Sequence, residues 1–295
     1  MAHTFADPKS PRHKDIGRLL LSCPDRRGVI AAVSTYLTEA GANIIALDQH
    51  STAPEGGVFL QRTVFHLPGL AAVQPDLESQ FGSIANEFDI EYRFTDAAKP
   101  KRVAIMASTA DHCLLDLLWR NRRGELDMTV VMVISNHADL AEQVHSFGVP
   151  FVHIPANRDI RDQAERRQLD LLEGNVDLVV LARYMQIVTP EFLTRVGCPL
   201  INIHHSFLPA FVGATPYRRA KERGVKLVGA TAHYVTDDLD QGPIIEQDVV
   251  RVDHTHSVEE LVRLGADVER AVLSRAVLWH CQDRILRHGN QTVVF

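Results

Sequence analysis

The chain has 295 residues, of which 45% are hydrophobic and 23% are charged, and its formal net charge at pH 7 is −6. This composition is typical of globular proteins, the length suffices for two domains, and the acidic balance argues against a general role at nucleic acids or membrane surfaces. No apolar run approaches the roughly 18 residues of a membrane span, and residues 1–15 form a polar tail without a secretory signal. We therefore expect a cytoplasmic protein, whose four cysteines form no Cys-x-x-Cys pair and are predicted to be reduced thiols.

Residues 16–95 show strand and helix patterns in an order that defines a small fold. Strand patterns at residues 18–23, 43–51, 58–67 and 89–95 alternate with helical patterns at residues 29–40 and 74–88. In the first helix Val29, Val33 and Leu37 recur at helical spacing, and Gly41 is placed to end it. The order strand, helix, strand, strand, helix, strand predicts a ferredoxin-like α+β domain.

The turn after the first strand carries a family resemblance. The segment from Cys23 to Gly28, with Asn43 further on, resembles the ACT domain, a small regulatory module that binds amino acids. The resemblance implies Asp25, Gly28 and Asn43 as ligand positions, methionine and glycine as effectors, and a homo-oligomer assembled through paired domains. A helix N-terminus also favours a carboxylate ligand on physical grounds. The alternative is structural: Asp25 caps the helix and Asn43 lies in a turn.

A second domain is predicted at residues 103–295, after a polar linker at residues 96–102 that contains Pro100. Its near-continuous apolar strands at residues 103–107, 128–134, 149–154 and 176–182 alternate with helical stretches. This alternation predicts a Rossmann-like, mostly parallel sheet covered on both faces. Ligands of such sheets bind beyond the carboxyl ends of the strands.

The polar end of a later strand carries the strongest indication of chemistry. Side chains alternate across a strand, so Asn202 and His204 face one side, whereas His205 faces the other and is interpreted as structural. An amide beside an imidazole can stabilise an oxyanion and move a proton, provided that a nearby group sets the charge of the imidazole. Asp240, in a Gly-Pro loop, is the candidate for that group, and His233 is a candidate supporting residue.

The last part of the chain is predicted to form two strands and one long helix. The strands cover residues 225–235 and 243–252, and Ser257 with Glu260 forms a capping box at the start of the helix. Gly289 is predicted to end this helix. Its apolar face is predicted to comprise Leu261, Leu264, Val268, Val272 and Trp279.

Three separated motifs in this domain resemble the formyltransferase fold that uses 10-formyltetrahydrofolate. They are Asn202-Ile-His204, the segment from Ser206 to Pro209, and the segment from Asp237 to Pro243. The resemblance implies that Asn202, His204 and Asp240 act together at the formyl carbon, without a metal or another cofactor. Asp240 would either favour the charged imidazole or take a proton from water. The folate positions implied by the fold are Gln186, Ile187, Val188 and Gly242.

The acceptor of the formyl group is predicted from the turn after the first strand of this domain. Residues 107–113 contain no glycine, and Asp111 would repel a phosphate, which argues against a phosphorylated amine. An ACT-like domain ahead of a formyltransferase fold is the arrangement of the formyltetrahydrofolate deformylase family, in which water is the acceptor. That resemblance implies hydrolysis to formate and tetrahydrofolate, supplying formate for one-carbon and purine metabolism. The alternatives are formyl transfer to a small amine, or an amino-acid sensor fused to an inactive transferase fold.

Overall fold

The computed structural model describes residues 13–157, 159–209 and 216–295. Most of the predicted polar tail, residues 1–12, therefore lies outside the described residues. The chain forms two compact units. Of the described residues, one unit comprises those up to Pro100 with Gln282–Leu286 and Val293–Phe295, and the other comprises those within Lys101–Cys281 with Arg287–Thr292. Among the described residues, no helix is both long enough and apolar enough to cross a membrane.

The first unit has the predicted ferredoxin-like order, which the structure confirms. Its sheet is antiparallel, and the strands lie in the order β2-β3-β1-β4. Helix α2 starts at Leu70, earlier than predicted, because Gly69 at φ 75° turns the chain and Leu70 is buried in the core. The elements are β1 (Ile16–Pro24), α1 (Val29–Glu39), β2 (Asn43–Ser51), β3 (Val58–His66), α2 (Leu70–Phe88) and β4 (Glu91–Asp96).

A buried carboxylate ties the end of the chain to this first unit. Asp283 is 2% exposed, and it accepts hydrogen bonds from Arg18 at 3.2 Å, Arg93 at 3.0 Å and Thr95 at 2.9 Å. Arg62 donates to the backbone carbonyl of the same residue at 2.8 Å. The predicted boundaries assigned all of residues 103–295 to the second domain. The structure differs because these contacts bring the residues around Asp283 into the first unit.

We expect Asp283→Ala to destabilise the first unit by about 3–5 kcal/mol, because it removes the acceptor of the buried Arg18 guanidinium. Hydrogen exchange of the β1 and β4 amides, followed by mass spectrometry, measures this loss. The exposed acid Asp76 of α2 gives the matched control, and Asp76→Ala should change protection by less than about 0.5 kcal/mol. Equal protection in the two variants would contradict a stabilising role for Asp283.

The second unit is an α/β fold with a seven-stranded sheet, in the order β11-β10-β9-β8-β5-β6-β7. Strands β5 to β9 are parallel, and β10 and β11 run antiparallel at one edge, so the predicted mostly parallel sheet is confirmed. The elements are β5 (Lys101–Ala107), α3 (His112–Arg122), β6 (Met128–Ser135), α4 (Ala141–Ser146), β7 (Phe151–His153), α5 (Arg161–Leu172), β8 (Leu178–Ala182), α6 (Pro190–Val196), β9 (Leu200–His204), α7 (Pro216–Arg223), β10 (Leu227–Tyr234), β11 (Ile244–Arg251) and α8 (Val258–Cys281).

The strand order of this sheet reverses between β5 and β8. From β5 the chain builds outward through β6 and β7, and then returns to the other side of β5 for β8 and β9. Helices α5 and α6 pack on one face, and α8 packs on the other face with α3 beside it. A crevice forms where neighbouring connections leave in opposite directions, at the carboxyl ends of the strands. The loops after β5, β8 and β9 surround this position.

The final helix differs from the prediction at its end and on its buried face. The capping box is present: the Ser257 N–H donates to Glu260 at 2.7 Å and the Glu260 N–H donates to Ser257 at 3.2 Å. The helix ends at Cys281, whereas Gly289 lies in the turn between β12 (Ile285–His288) and β13 (Gln291–Val294). Glu269 is fully buried and Val268 is only half-buried, because Glu269 is held by polar partners inside the domain.

Candidate active site

The register between β9 and β10 brings four polar side chains onto one face of the sheet. Asn202 lies opposite His233, and His204 lies opposite Thr231. Directly opposed residues of antiparallel strands project to the same face, and so do residues two apart on one strand. Leu200, on the same face, packs against α6, so this polar group lies on the α6 side of the sheet.

The loop between β10 and β11 supplies the carboxylate. It folds back over this face, with Asp240 at φ 57°. A side chain at Gly242 would place its Cβ 1.8 Å from the Tyr234 carbonyl oxygen, so only glycine fits there. Asp240 Oδ2 lies 3.3 Å from His204 Nδ1. The structure therefore brings together all three residues of the predicted set.

The charge of Asp240 follows from its hydrogen bond with His204. The bond from His204 lowers the pKa of Asp240 below its ordinary value and outweighs the opposing effect of burial, so the carboxylate is ionised at neutral pH. Since the carboxylate contacts Nδ1, the other ring nitrogen of His204, Nε2, is the one that can contact a ligand. His204 Nε2 is buried and has no hydrogen-bond partner among the described residues. A buried polar atom without a partner is rare in proteins and indicates a place for a ligand atom.

His233 orients the Asn202 amide. The His233 Nδ1–H donates to the Tyr234 carbonyl at 2.9 Å, and burial lowers the pKa of His233, so its Nε2 carries a lone pair. Asn202 Nδ2 lies 3.2 Å from that Nε2 and donates one of its two N–H groups to it. The second N–H of the amide remains for a ligand.

We expect His233→Ala to lower the kcat of the reaction at this site by about 10-fold, with the KM of its substrate little changed. The reason is the loss of one hydrogen bond between neutral groups that orients the Asn202 amide. The double variant with Asn202→Ala should have almost the same kcat as Asn202→Ala alone, since His233 acts by orienting that amide. Steady-state kinetics of the single and double variants test this coupling. Fully additive losses would show that His233 acts independently of Asn202.

The segment after His204 is fixed by β10 and β11. Thr231 accepts a hydrogen bond from the Leu208 N–H at 3.0 Å and donates to the Ser206 carbonyl at 2.9 Å. Gln247 of β11 donates to both Thr231 and the Leu208 carbonyl, at 2.9 and 3.0 Å. The wall of the site beyond His204 is therefore held by buried hydrogen bonds.

A cavity of about 670 Å³ opens beside Asp240, in the size range of small-molecule sites. Gly242, a predicted folate position, lies in its wall. The hairpin turn also contributes, with Asn290 donating to the Gln241 carbonyl at 3.0 Å. The sequence did not indicate this hairpin, because the final helix was predicted to extend as far as Gly289. The lining residues are Leu208, Pro209, Leu239, Asp240, Gln241, Gly242, Ile244, Asn290, Gln291 and Thr292.

The other predicted folate positions, Gln186, Ile187 and Val188, lie outside this cavity on the loop after β8. The end of that loop is tied to α5, where the Thr189 N–H donates to Glu165 at 3.0 Å. Sequence reasoning missed the exposed apolar side chains on the site loops. Met185, Phe207 and Leu239 are 58%, 43% and 57% exposed. Apolar residues inside polar motifs were the available signal for an exposed apolar surface on these loops.

The predicted amino-acid positions lie at one end of the first unit. Gly28 has φ 97° and precedes α1, where no side chain caps the helix, so Asp25 is not a helix cap. The Asp25 carboxylate instead accepts a hydrogen bond from Ser51 at the end of β2. Asn43 is exposed as the first residue of β2 rather than part of a turn. The alternative in which Asp25 caps the helix and Asn43 lies in a turn is therefore wrong for both residues.

Comparison with known proteins assigns a family to each of the two units. Residues 101–277 match the formyl transferase family, and residues 17–82 match the ACT domain family. These matches define the class: a formyl transferase fold preceded by an ACT domain. A formyltetrahydrofolate deformylase of Mycobacterium bovis is 76% identical over 95% of this chain and 91% of its own length. The chain belongs to the formyltetrahydrofolate deformylase family.

Solved structures give the same result. The crystal structure of a formyltetrahydrofolate deformylase from Pseudomonas syringae superposes with a TM-score of 0.90 at 46% identity, covering 95% of this chain and 94% of that one. A glycinamide ribonucleotide transformylase from Symbiobacterium toebii superposes with a TM-score of 0.63 at 32% identity, covering 68% of this chain and 96% of that one. The catalytic fold is therefore similar to that of an enzyme named for an amine acceptor.

Proposed function

We propose that this chain hydrolyses 10-formyltetrahydrofolate to formate and tetrahydrofolate in the cytoplasm, supplying formate for one-carbon and purine metabolism. The names of its relatives and the arrangement of Asn202, His204 and Asp240 support this reaction. The observation that carries the chemistry is the buried Nε2 of His204, which has no hydrogen-bond partner within the described part of the chain and lies beside a carboxylate that holds its Nδ1. The test is product analysis with and without added amines. Purified protein should release formate and tetrahydrofolate in equal amounts when no amine is present.

The reaction begins with attack of a water oxygen on the formyl carbon, which produces a tetrahedral oxyanion. The free N–H of Asn202 and the Nε2–H of a charged His204 stabilise this oxyanion by hydrogen bonding. The bond from carbon to the folate nitrogen then breaks, and His204 delivers a proton to that nitrogen. One proton of the attacking water restores the imidazolium, so one proton passes in total from water to the leaving nitrogen, and the second goes to solvent when formic acid ionises to formate.

In this scheme Asp240 stabilises the charged form of His204. The 3.3 Å contact to Nδ1 supports that role more directly than it supports attack on a water proton. The scheme needs no metal or other cofactor, because the amide and the imidazolium supply the charge stabilisation. Dialysis against a chelator should therefore leave formate release unchanged, and recovery of lost activity on adding back a metal would contradict the scheme.

The ACT domain is proposed to bind an amino acid near Asp25, Gly28 and Asn43, with methionine and glycine as effectors and a homo-oligomer as the functional state. The left-handed backbone at Gly28 and the exposed Asn43 support an accessible site. Formate release with and without each amino acid, in the wild type and in Asn43→Ala, tests the site. An effect of equal size in both proteins, or none in the wild type, would rule it out.

A further inference from the structure

Four side chains from distant parts of the second unit form one polar group, here called the Glu269 network: the buried Tyr217 and Glu269, and the half-buried His112 and Arg183. Glu269 of α8 is 1% exposed. Its carboxylate accepts hydrogen bonds from Tyr217 at 2.7 Å and from Arg183 at 3.3 Å, and it lies 2.7 Å from His112 Nε2. Burial alone would raise the pKa of Glu269, but the bond from His112 and the charge of Arg183 lower it, so the carboxylate stays ionised.

The network lies at the carboxyl edge of the sheet. His112 begins α3 just after β5, and Arg183 directly follows β8. The strand order reverses between these two strands. Open α/β sheets bind their ligands at such a reversal. In this protein, side chains of the protein itself occupy that position on the α3 and α8 side.

One further residue, His205, lies between the network and the catalytic imidazole. His205 faces away from Asn202, with its ring centroid 5.2 Å from that of His204 and 6.3 Å from that of Tyr217. Burial, followed by the charges of Arg183 and His204, lowers the pKa of His205 to about 4, so it is neutral at pH 7. His205 and Tyr217 therefore form a continuous, uncharged wall on the α8 side of His204.

This wall is closely packed. A Cβ at Gly265 of α8 would lie 1.9 Å from the Tyr217 hydroxyl, so the phenol rests directly on the helix backbone. A metal ion is a poor alternative occupant, although His112, Cys113 and Glu269 have ligand atoms within 4.8 Å of one another. The Arg183 guanidinium on the same carboxylate opposes a cation, and burial raises the pKa of the Cys113 thiol well above its ordinary value.

We infer that the Glu269 network determines the acceptor: it fills the side of the crevice from which an amine would reach the formyl carbon, and so restricts the reaction to water. This inference rests on the proposed hydrolysis. Without the wall, an amine nitrogen would attack the formyl carbon, the bond from carbon to the folate nitrogen would break, and the proton lost by the amine would pass to that nitrogen through His204. The product would be a formamide instead of formate.

The experiment compares Tyr217→Ala, which opens the wall, with Tyr217→Phe, which keeps its volume and removes only the hydroxyl. Each purified protein receives 10-formyltetrahydrofolate and millimolar glycinamide, and formate and N-formylglycinamide are quantified by mass spectrometry. The wild type and Tyr217→Phe should yield formate alone, whereas Tyr217→Ala should divert at least one-tenth of the formyl groups to N-formylglycinamide. His112→Ala is a second opening variant, in case Tyr217→Ala does not fold.

The inference is overturned if folded opening variants release formate but form no N-formylglycinamide, or if Tyr217→Phe forms as much as Tyr217→Ala. Loss of both products in both opening variants would also overturn it, because the network would then serve the chemistry rather than exclude an acceptor. Failure of the proposed hydrolysis is recognised separately, since the wild type would then release no formate in the absence of amine.

Discussion

Asn202→Ala will lower kcat for formate release by about 10²- to 10³-fold with little change in KM. One N–H of the amide donates to His233, and in the proposed mechanism the second N–H donates to the oxyanion, which exists only during the reaction. Removal of one oxyanion donor costs about 3–4 kcal/mol of transition-state stabilisation in well-studied hydrolases. An interaction made only in the transition state is lost from kcat rather than from KM.

Asn175 provides the matched control for this variant. It lies after α5 in the same domain, and its exposed amide donates to the Leu171 carbonyl. Asn175→Ala should retain wild-type kcat and KM in the steady-state formate assay. If Asn202→Ala kept more than about one-third of the wild-type kcat, the amide would not be the oxyanion donor.

Asp240→Asn will have the larger effect, lowering kcat by about 10³- to 10⁴-fold, as in hydrolases whose histidine-orienting aspartate is replaced. The asparagine keeps the volume of the side chain but removes the charge that, in the proposed mechanism, stabilises the His204 imidazolium. Asp237→Asn, an exposed acid of the same loop, is the matched control and should be active. Full formate release by Asp240→Asn would show that His204 works without a charged partner.

The same carboxylate makes stability depend on pH with a defined sign. The folded pKa of Asp240 is lowered, so its contribution to the free energy of unfolding is complete above the unfolded value of about 3.9 and declines as pH falls through the folded value. The difference in thermal midpoint between the wild type and Asp240→Asn is followed as the pH is lowered from about 5. It should shrink below about pH 4, and an increase there would have the wrong sign.

Local patterns predicted the parts of the site that depend on local structure. The alternation of β9 placed Asn202 and His204 on one face, and the capping box of Ser257 and Glu260 formed as expected. The motif around Asp240 identified the third residue, although its position over the sheet depends on a left-handed turn at Asp240 and on Gly242. Short-range periodicity and capping are properties of neighbouring residues, and they can be read directly.

The parts that were missed depend on contacts between distant residues. The role of His233 requires the register between β9 and β10, and the Glu269 network joins four elements. One signal was present: Glu269 stands on the buried face of α8 among apolar residues, where a charge needs partners. No sequence pattern indicated that the chain returns to the first unit at Asp283. Its partners Arg18, Arg93 and Thr95 lie far away in the sequence.

The most direct test of the account is the origin of the oxygen in the formate product. In H₂¹⁸O, purified protein given 10-formyltetrahydrofolate and no amine should release formate that carries one ¹⁸O atom per molecule, with an equal amount of tetrahydrofolate. That result would establish water as the acceptor at the site formed by Asn202, His204 and Asp240. Absence of labelled formate, or release that begins only when an amine is added, would contradict the account.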